Sequence, residues 1–394
     1  MKKTALWIGA LVLGAVLGLL GLGWLNELMN FVAVIYTRLF QLLAVPTIVL
    51  AVITTFATFG SKGSGRIFVR TLTYTMLTTL AAAAVGALLY VLVSPGNLPP
   101  EALAMGDAVK ETPSLTYYDH ILSVIPNNIV KPFLEGNVLS LLLLAFAVGI
   151  ALSKLPESEN KSVVVKGLLG LQDLLFLLIR ALIWTLPLGI VAFSSQLSAQ
   201  VSGGMVAGSI GKYVLVIVGG NLVQFFVVLP LFLLARGMNP IHVLGRMMPA
   251  VLMALFTKSS AATLPLTMES AEKRLGVRSN IARFVLPICT TINMNGCAAF
   301  ILVTSLFVMQ NGGTPITLST ILLWLLISVV SAIGNAGVPM GCFFLTMSLM
   351  SGIGAPIAVL GIILPIYTII DMIETAENVW SDSCVCAMTN HDLG

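Results

Sequence analysis

The sequence predicts an all-α polytopic membrane protein, and three observations indicate this class. Hydrophobic residues make up 58% of the 394 residues and charged residues only 9%, whereas soluble proteins carry about 25% charged residues. Several stretches without Asp, Glu, Lys or Arg are long enough for a bilayer crossing of about 20 residues. The 35 Gly and 18 Pro are dispersed, which is typical of broken transmembrane helices. This composition excludes a soluble enzyme, a secreted domain, a disordered chain and a fibrous protein.

Eight transmembrane helices are predicted. The first six come from uncharged stretches at 4–26, 39–61, 71–100, 136–153, 181–211 and 213–235. Residues 284–370 also contain no charge, and one straight helix of that length would measure about 130 Å. This segment must therefore fold back, and Gly, Asn and Pro clusters predict breaks at 293–296, 311–315, 334–339 and 351–356.

Two re-entrant hairpins are predicted in the C-terminal half. Short apolar arms at 247–257 and 263–268 flank the polar tip Lys258–Ser259–Ser260, and a second tip lies at 334–341. Arms this short do not cross a bilayer. Non-helical backbone at membrane depth is tolerated only where it is buried in protein or lines a wet cavity. Two such tips are typical of a transporter core built from inverted repeats.

The basic residues predict cytoplasmic N- and C-termini. They fall on one side of the predicted spans: Lys2, Lys3, Lys62, Arg66, Arg70, Lys154, Lys161, Lys166, Arg236 and Arg246. The loop at 95–119, which is rich in acidic residues, is then external. No basic tract indicates a nucleic-acid partner.

The five cysteines lack the spacing of a disulfide framework and are interpreted as packing residues.

The last predicted span carries an acidic face. Carboxylates at membrane depth indicate an ion or substrate path. The alternative is that the span ends near Asp371 and the acids form a solvated tail. Glu377 is predicted to point away from this face, toward the cytoplasmic side. The spacing of three or four residues places on one helix face Asp371, Glu374, Thr375, Asn378 and Asp382.

Asn293 and Asn295, which flank Met294 in an uncharged span, need polar partners there. Opposite a carboxylate face, two amides are expected to line a cation site of oxygen ligands.

A passive channel or a structural membrane protein is the alternative to a transporter. An enzyme is set aside because the three histidines are scattered (His120, His242 and His391) and no HExxH or GxSxG motif occurs.

Four motifs in order resemble the dicarboxylate/amino acid:cation symporter family, the glutamate transporter homologues, over nearly the whole chain. Thr291-Ile292-Asn293-Met294-Asn295-Gly296 resembles its Asn-Met-Asp-Gly motif. The other three are similar to its two hairpin tips and its last-helix site: Lys258–Pro265, Ala336–Pro339 and Asp371–Asp382.

The resemblance implies an elevator-type transporter that binds and co-transports Na⁺, surrounded by membrane lipid and assembled as a homotrimer. Residues 1–64 and 97–202 would form the scaffold, and residues 65–96 and 203–394 the transport domain. The segment Asp371–Asn378 is also similar to the matching segment of bacterial sodium/serine-threonine symporters. This similarity implies the plasma (inner) membrane of a prokaryote.

The resemblance also implies roles for individual residues. Asp371 would hold the α-ammonium group of the substrate, and Asn378 with the two hairpin tips its α-carboxylate. The implied substrate-binding set is Ser259, Ser260, Met294, Cys297, Ala336, Gly337, Val338, Asp371, Glu374, Thr375 and Asn378. The implied Na⁺ ligands are Asn293, Asn378 and Asp382 at one site, Thr291 at a second, and Thr78, Thr79, Asn293 and Asn295 at a third.

Departures from the family pattern predict the substrate. Glu374 stands where members that carry acidic substrates have arginine, and a carboxylate there repels a second carboxylate. Cys297 matches a threonine that binds the substrate side chain. A small neutral amino acid (serine, threonine or alanine) is therefore expected, with a dicarboxylate or acidic amino acid, coupled to Na⁺ or protons, as the alternative.

Two further expectations follow from charge. Asn295 replaces the usual aspartate, so the third Na⁺ site should be weaker and fewer Na⁺ coupled than in the glutamate branch. A buried Glu374 must be paired or protonated, or must bind a cationic substrate side chain. A contact of Lys258 with Asp371 or Glu374 is predicted.

Overall fold

The computed structural model describes residues 2–59, 65–99, 125–135, 138–201, 205–333, 335 and 340–393. Regular structure in this part of the chain is entirely helical, so the predicted all-α class is confirmed. Mostly apolar sequence forms these helices because a helix satisfies its own backbone groups without water.

The first half of the chain forms long helices that pack lengthwise on one another. α1 and α2 both lie along α6, and α2 also packs on α5. Close approach is possible because small residues lie at the contact, as where Gly14 and Gly18 of α1 meet the backbone of α6. The helices are α1 Lys2–Leu19, α2 Gly23–Phe59, α3 Gly65–Val93, α4 Lys131–Glu135, α5 Val138–Lys154 and α6 Glu159–Val201.

The second half contains shorter, interrupted helices around one long helix. α9, α11 and α12 all pack on α15, and α3 packs on α7 and α12. The helices are α7 Met205–Val223, α8 Leu229–Leu234, α9 Pro240–Thr257, α10 Ser260–Glu269, α11 Ser279–Ile292, α12 Asn295–Asn311, α13 Leu318–Ala332, α14 Gly341–Gly352 and α15 Ala358–Asp392. A π-helical turn, Gln224–Val228, joins α7 to α8, and another, Ser270–Leu275, follows α10.

Six helical segments within the described residues are long and apolar enough to cross a bilayer. The predicted count of eight, the elevator motion and the division into scaffold and transport domains stay predictions. The six segments are Gly65–Val93, Glu159–Ile179, Gly208–Leu234, Pro240–Thr257, Ser279–Asn311 and Ala358–Asp392.

The tip at Lys258 lies between two helices that pack against each other. Lys258 ends α9 in the left-handed conformation, with φ +55°, and the Ser259 hydroxyl caps the next helix by accepting from the Ala262 amide. The first arm was predicted to begin at residue 247, which is wrong, because α9 starts at Pro240 behind an Asn239 cap. Arg246 lies on the exposed side of this helix, so its charge does not end it.

The predicted breaks within residues 284–370 coincide with helix ends. α11 ends at Ile292 and α12 begins at Asn295, and the backbone of Asn293 and Met294 between them is not helical. α12, α13 and α14 end at Asn311, Ala332 and Gly352. The uncharged segment therefore folds back as its sequence predicted.

Candidate functional site

The acidic face of α15 is buried. Asp371, Glu374 and Asp382 are 3%, 1% and 1% exposed, so the alternative of a solvated tail is wrong. α15 continues as one helix past all of these residues, which keeps the three- and four-residue spacing on one face.

A small cavity opens on this face where three broken elements meet. Its floor is α15, and its walls come from the tip between α9 and α10, from the break between α11 and α12, and from the start of α14. The lining residues are Lys258, Ser260, Met294, Cys297, Asn335, Cys342, Asp371, Glu374, Thr375 and Asn378. Seven of them belong to the predicted substrate-binding set, and Lys258 was the predicted contact of the acids.

The remaining predicted substrate residues lie elsewhere. Ser259 serves as the cap of α10 and does not line the cavity. Ala336, Gly337 and Val338 lie outside the described residues. Asn335 and Cys342 line the cavity without having been predicted, because they come from a hairpin whose contacts are not encoded in local sequence.

Asp371 is held from two sides. The Met340 amide donates to its Oδ2 at 3.2 Å, and the Tyr367 hydroxyl lies 3.5 Å from its Oδ1. Lys258 lines the same cavity and interacts with it electrostatically, and the predicted direct contact between the two groups stays a prediction. Asp371 is therefore linked to both hairpin regions at once.

Glu374 has one engaged and one open oxygen. The Tyr367 hydroxyl donates to its Oε2 at 3.2 Å, whereas no described residue donates to Oε1. Tyr367 was not predicted, although it lies one turn before Asp371 on the same helix face. A hydrogen-bond donor entering the cavity would find Oε1 available.

Asn378 fixes the start of α12. Its Oδ1 accepts from the Gly296 amide at 2.9 Å, and its side-chain amide lies 3.4 Å from Cys297 Sγ. The amides at the start of a helix have no partner within the helix, so this bond satisfies one of them. Because Met294 and Cys297 line the cavity, the start of α12 and the positive end of its dipole lie at the cavity.

A second buried polar cluster lies beside the cavity, where α3 and α15 meet the α11–α12 break. Asn293 donates to Ser381 and Asp382, both at 2.9 Å, and accepts from the Thr78 hydroxyl at 3.1 Å. Asp382 Oδ2 has no partner among the described residues. A buried carboxylate oxygen of this kind is a natural ligand for a hard cation.

Asn295 completes this cluster. It accepts from the Thr79 hydroxyl at 2.8 Å and donates to Ser381 at 2.6 Å. The structure thus brings together five of the seven predicted cation residues and adds Ser381. Asn378 lies at the neighbouring cavity, and Thr291 does not join, because its hydroxyl donates to the Ile288 carbonyl at 2.8 Å.

Two cysteines on opposite walls of the cavity form a disulfide. Cys297 of α12 is bonded to Cys342 of α14, and Asn335 donates to both sulfur atoms. The interpretation of all five cysteines as packing residues was wrong for this pair. Their sequence separation of 45 follows no recognised spacing, so sequence offered no signal.

Thiol counting tests this bond. Denatured protein alkylated without reduction should carry three labels, from Cys289, Cys384 and Cys386, and reduced protein should carry five, which intact-mass spectrometry resolves. Cys342→Ser should carry four labels under both conditions. Five labels on unreduced wild-type protein would show that the two thiols are free.

Comparison with known proteins decides the family. The model of the sodium:dicarboxylate symporter family matches residues 4–392. The chain belongs to this family. The rabbit (Oryctolagus cuniculus) neutral amino acid transporter B(0) is 29% identical over 90% of this chain and 72% of its own. The excitatory amino acid transporter 1 of Ambystoma tigrinum is 24% identical over 92% of this chain and 77% of its own.

Family membership confirms the resemblance noted in the sequence. The family consists of multi-pass membrane transporters, not enzymes, and couples amino acid transport to sodium. The relatives include transporters named for neutral and for excitatory amino acids, so family membership by itself does not choose between these substrates.

Proposed function

We propose that the protein is a sodium-coupled symporter of a small neutral amino acid of the serine, threonine or alanine type. The observation that carries this proposal is Glu374, which lines the cavity beside Asp371 with one oxygen open. Two carboxylates in one cavity disfavour a substrate with a second carboxylate, because juxtaposed like charges cost several kcal/mol.

The cavity offers groups complementary to the α-ammonium and α-carboxylate groups that all amino acids share. Asp371 supplies a negative charge for the α-ammonium group. Ser260, Lys258 and the amide end of α12 surround the cavity with donors and positive charge suited to the α-carboxylate. The side chain of an amino acid bound in this way would extend toward Glu374 and Thr375.

Glu374 Oε1 favours a hydroxyl side chain. A buried acceptor left without a donor costs free energy, and the hydroxyl of serine or threonine can donate to it. Alanine leaves it unpaired, so alanine should bind more weakly than serine.

Co-transported Na⁺ fits the polar cluster beside the cavity. Asn293 and Asp382 would hold one ion, with Asn378 at the cavity edge. Thr78, Thr79 and Asn295 supply only neutral oxygens, and both ends of the Asn295 amide are already engaged. A site there should be weaker than one with a carboxylate.

Assembly and location follow from the family resemblance. We infer a homotrimer in the plasma (inner) membrane of a prokaryote, with cytoplasmic termini and lipid around its outer helices. Exposed leucine, valine and tryptophan side chains on α1, α2 and α6 support contact with lipid or with neighbouring subunits.

A symporter for dicarboxylates or acidic amino acids is the second candidate. The family description and the excitatory amino acid transporters favour it, and Lys258 places a positive charge at the cavity. Lys258 interacts with Asp371, however, whereas no arginine lines the cavity within the described residues.

Uptake into proteoliposomes tests the proposal. Radiolabelled serine should accumulate above equilibrium when Na⁺ is outside, and not when choline replaces Na⁺. Unlabelled threonine and alanine should compete, whereas aspartate, glutamate and succinate should not. Competition by aspartate stronger than by threonine would favour the second candidate, and strong competition by lysine or arginine would show that Glu374 binds a cationic side chain.

A further inference from the structure

Glu377 of α15 is a buried carboxylate that the proposed binding scheme does not use. The sequence placed it away from the acidic face, toward the cytoplasmic side, but the side chain does not reach solvent, since it is 0% exposed. Neither of its oxygens has a hydrogen-bond partner in the part of the chain that the structure describes. A buried carboxyl group in this situation is either protonated or balanced by a cation.

The Glu377 carboxylate shares a small space with a second unpartnered oxygen. A methyl group added at Gly296 would lie 2.7 Å from Glu377 Oε2 and 2.8 Å from Asn221 Oδ1. Both oxygens therefore approach the same point on α12. Asn221 is 2% exposed, and its Oδ1 also lacks a donor among the described groups.

Hydrogen bonds fix the orientation of the neighbouring amides. Asn221 donates to the Ile217 carbonyl at 2.8 Å, and Gln224 donates to the Thr78 carbonyl at 3.0 Å. Each amide therefore turns its oxygen away from these carbonyls, and Gln224 Oε1 likewise has no partner within the described residues. Asn221 and Gln224 are three residues apart and so share a helix face.

The backbone supports a special role for this region. Gln224 opens the π-helical turn Gln224–Val228, and such turns are frequent at functional sites. The turn packs on α15, where the Trp380 indole donates to the Phe225 carbonyl at 3.1 Å. The amides are therefore held next to the helix turn that carries Glu377.

We propose that Glu377, Asn221 and Gln224 bind a Na⁺ ion at a site separate from the cluster around Asp382. Carboxylate and amide oxygens are ligands of hard cations. Glu377 and Asn221 bring unpartnered oxygens to the same point beside Gly296, and Gln224 carries a third unpartnered oxygen one turn from Asn221. The charged groups that act on Glu377 are themselves acids, Glu374 and Asp382. A bound water would leave the carboxylate charge uncompensated, whereas one monovalent cation balances it.

This inference rests on the proposed function, because it makes the ion one of the coupled Na⁺. It also adds a site that the sequence did not indicate, which offsets the lower sodium number expected from Asn295. Gly296 of α12 lies against Glu377 and Asn221 and also donates to Asn378 of the cavity, so occupancy of the site can influence the position of α12.

Direct Na⁺ binding tests the site. Purified full-length protein is titrated with ²²Na⁺ in the absence of amino acid, for wild type, Glu377→Gln and Asn221→Leu. The matched control is Glu27→Gln, an exposed acid on α2. Both site variants should bind one Na⁺ fewer per protomer at saturation than wild type and the control. In proteoliposomes, the Na⁺ concentration for half-maximal uptake should rise about tenfold or more.

Unchanged Na⁺ binding in Glu377→Gln and Asn221→Leu would overturn the site. A Glu377→Gln variant that keeps the wild-type Na⁺ count but loses the pH dependence of uptake would also overturn it, in favour of a proton. If wild-type protein shows no Na⁺-driven serine uptake but still shows Glu377-dependent Na⁺ binding, the site stands and the proposed function fails.

Discussion

Asp371→Asn is expected to reduce Na⁺-driven serine uptake at least about 100-fold. The substrate ammonium group loses the carboxylate proposed to hold it, and removing one member of a buried ion pair costs about 3–5 kcal/mol, where 1.4 kcal/mol corresponds to a factor of ten. Asparagine keeps the size of the side chain, and its carbonyl oxygen can still accept from the Met340 amide. The loss should therefore appear in substrate binding more than in folding. Initial uptake rates and serine-induced thermal stabilisation measure the two separately.

The control for this prediction is Asp173→Asn, an exposed acid on α6. It should leave uptake within twofold of wild type, because exposed charges contribute about 1 kcal/mol or less. An Asp371→Asn protein that elutes and melts like wild type and retains serine uptake would show that Asp371 does not hold the ammonium group.

The main features of the site were predictable because they depend on local sequence rules. The spacing from Asp371 to Asp382 specifies one helix face whatever surrounds it. The Asn-Met-Asn-Gly segment breaks its helix because its side chains and glycine favour non-helical backbone. Both features appear in the structure where the sequence placed them.

Other features depended on packing that no local rule describes. Glu377 was placed toward the cytoplasmic side because amphipathic patterns presume one wet face, but α15 is buried on all sides around it. Cys342 and Asn335 reach the cavity only through the fold of the second hairpin. Tyr367 lies one turn before the first acid, and a single tyrosine in an apolar helix carries no signal of its own.

Glu374→Arg is expected to change the substrate preference from serine toward aspartate. The guanidinium group would offer a bidentate partner to a side-chain carboxylate and would remove the repulsion that Glu374 exerts. Aspartate should then compete for transport, where it does not compete in the wild type. Serine uptake should fall roughly 100-fold, because the new cation lies one helix turn from Asp371 and can pair with it, which withdraws that carboxylate from the substrate ammonium group.

Glu374→Gln separates charge from shape in this prediction. Glutamine removes the repulsion without adding a cation, so it should keep serine uptake within about tenfold of wild type while gaining little affinity for aspartate. Competition by aspartate in Glu374→Arg alone would show that position 374 selects substrates by charge. If Glu374→Arg transports serine as wild type does and ignores aspartate, the side chain at 374 does not face the substrate, and the argument for a neutral amino acid fails with it.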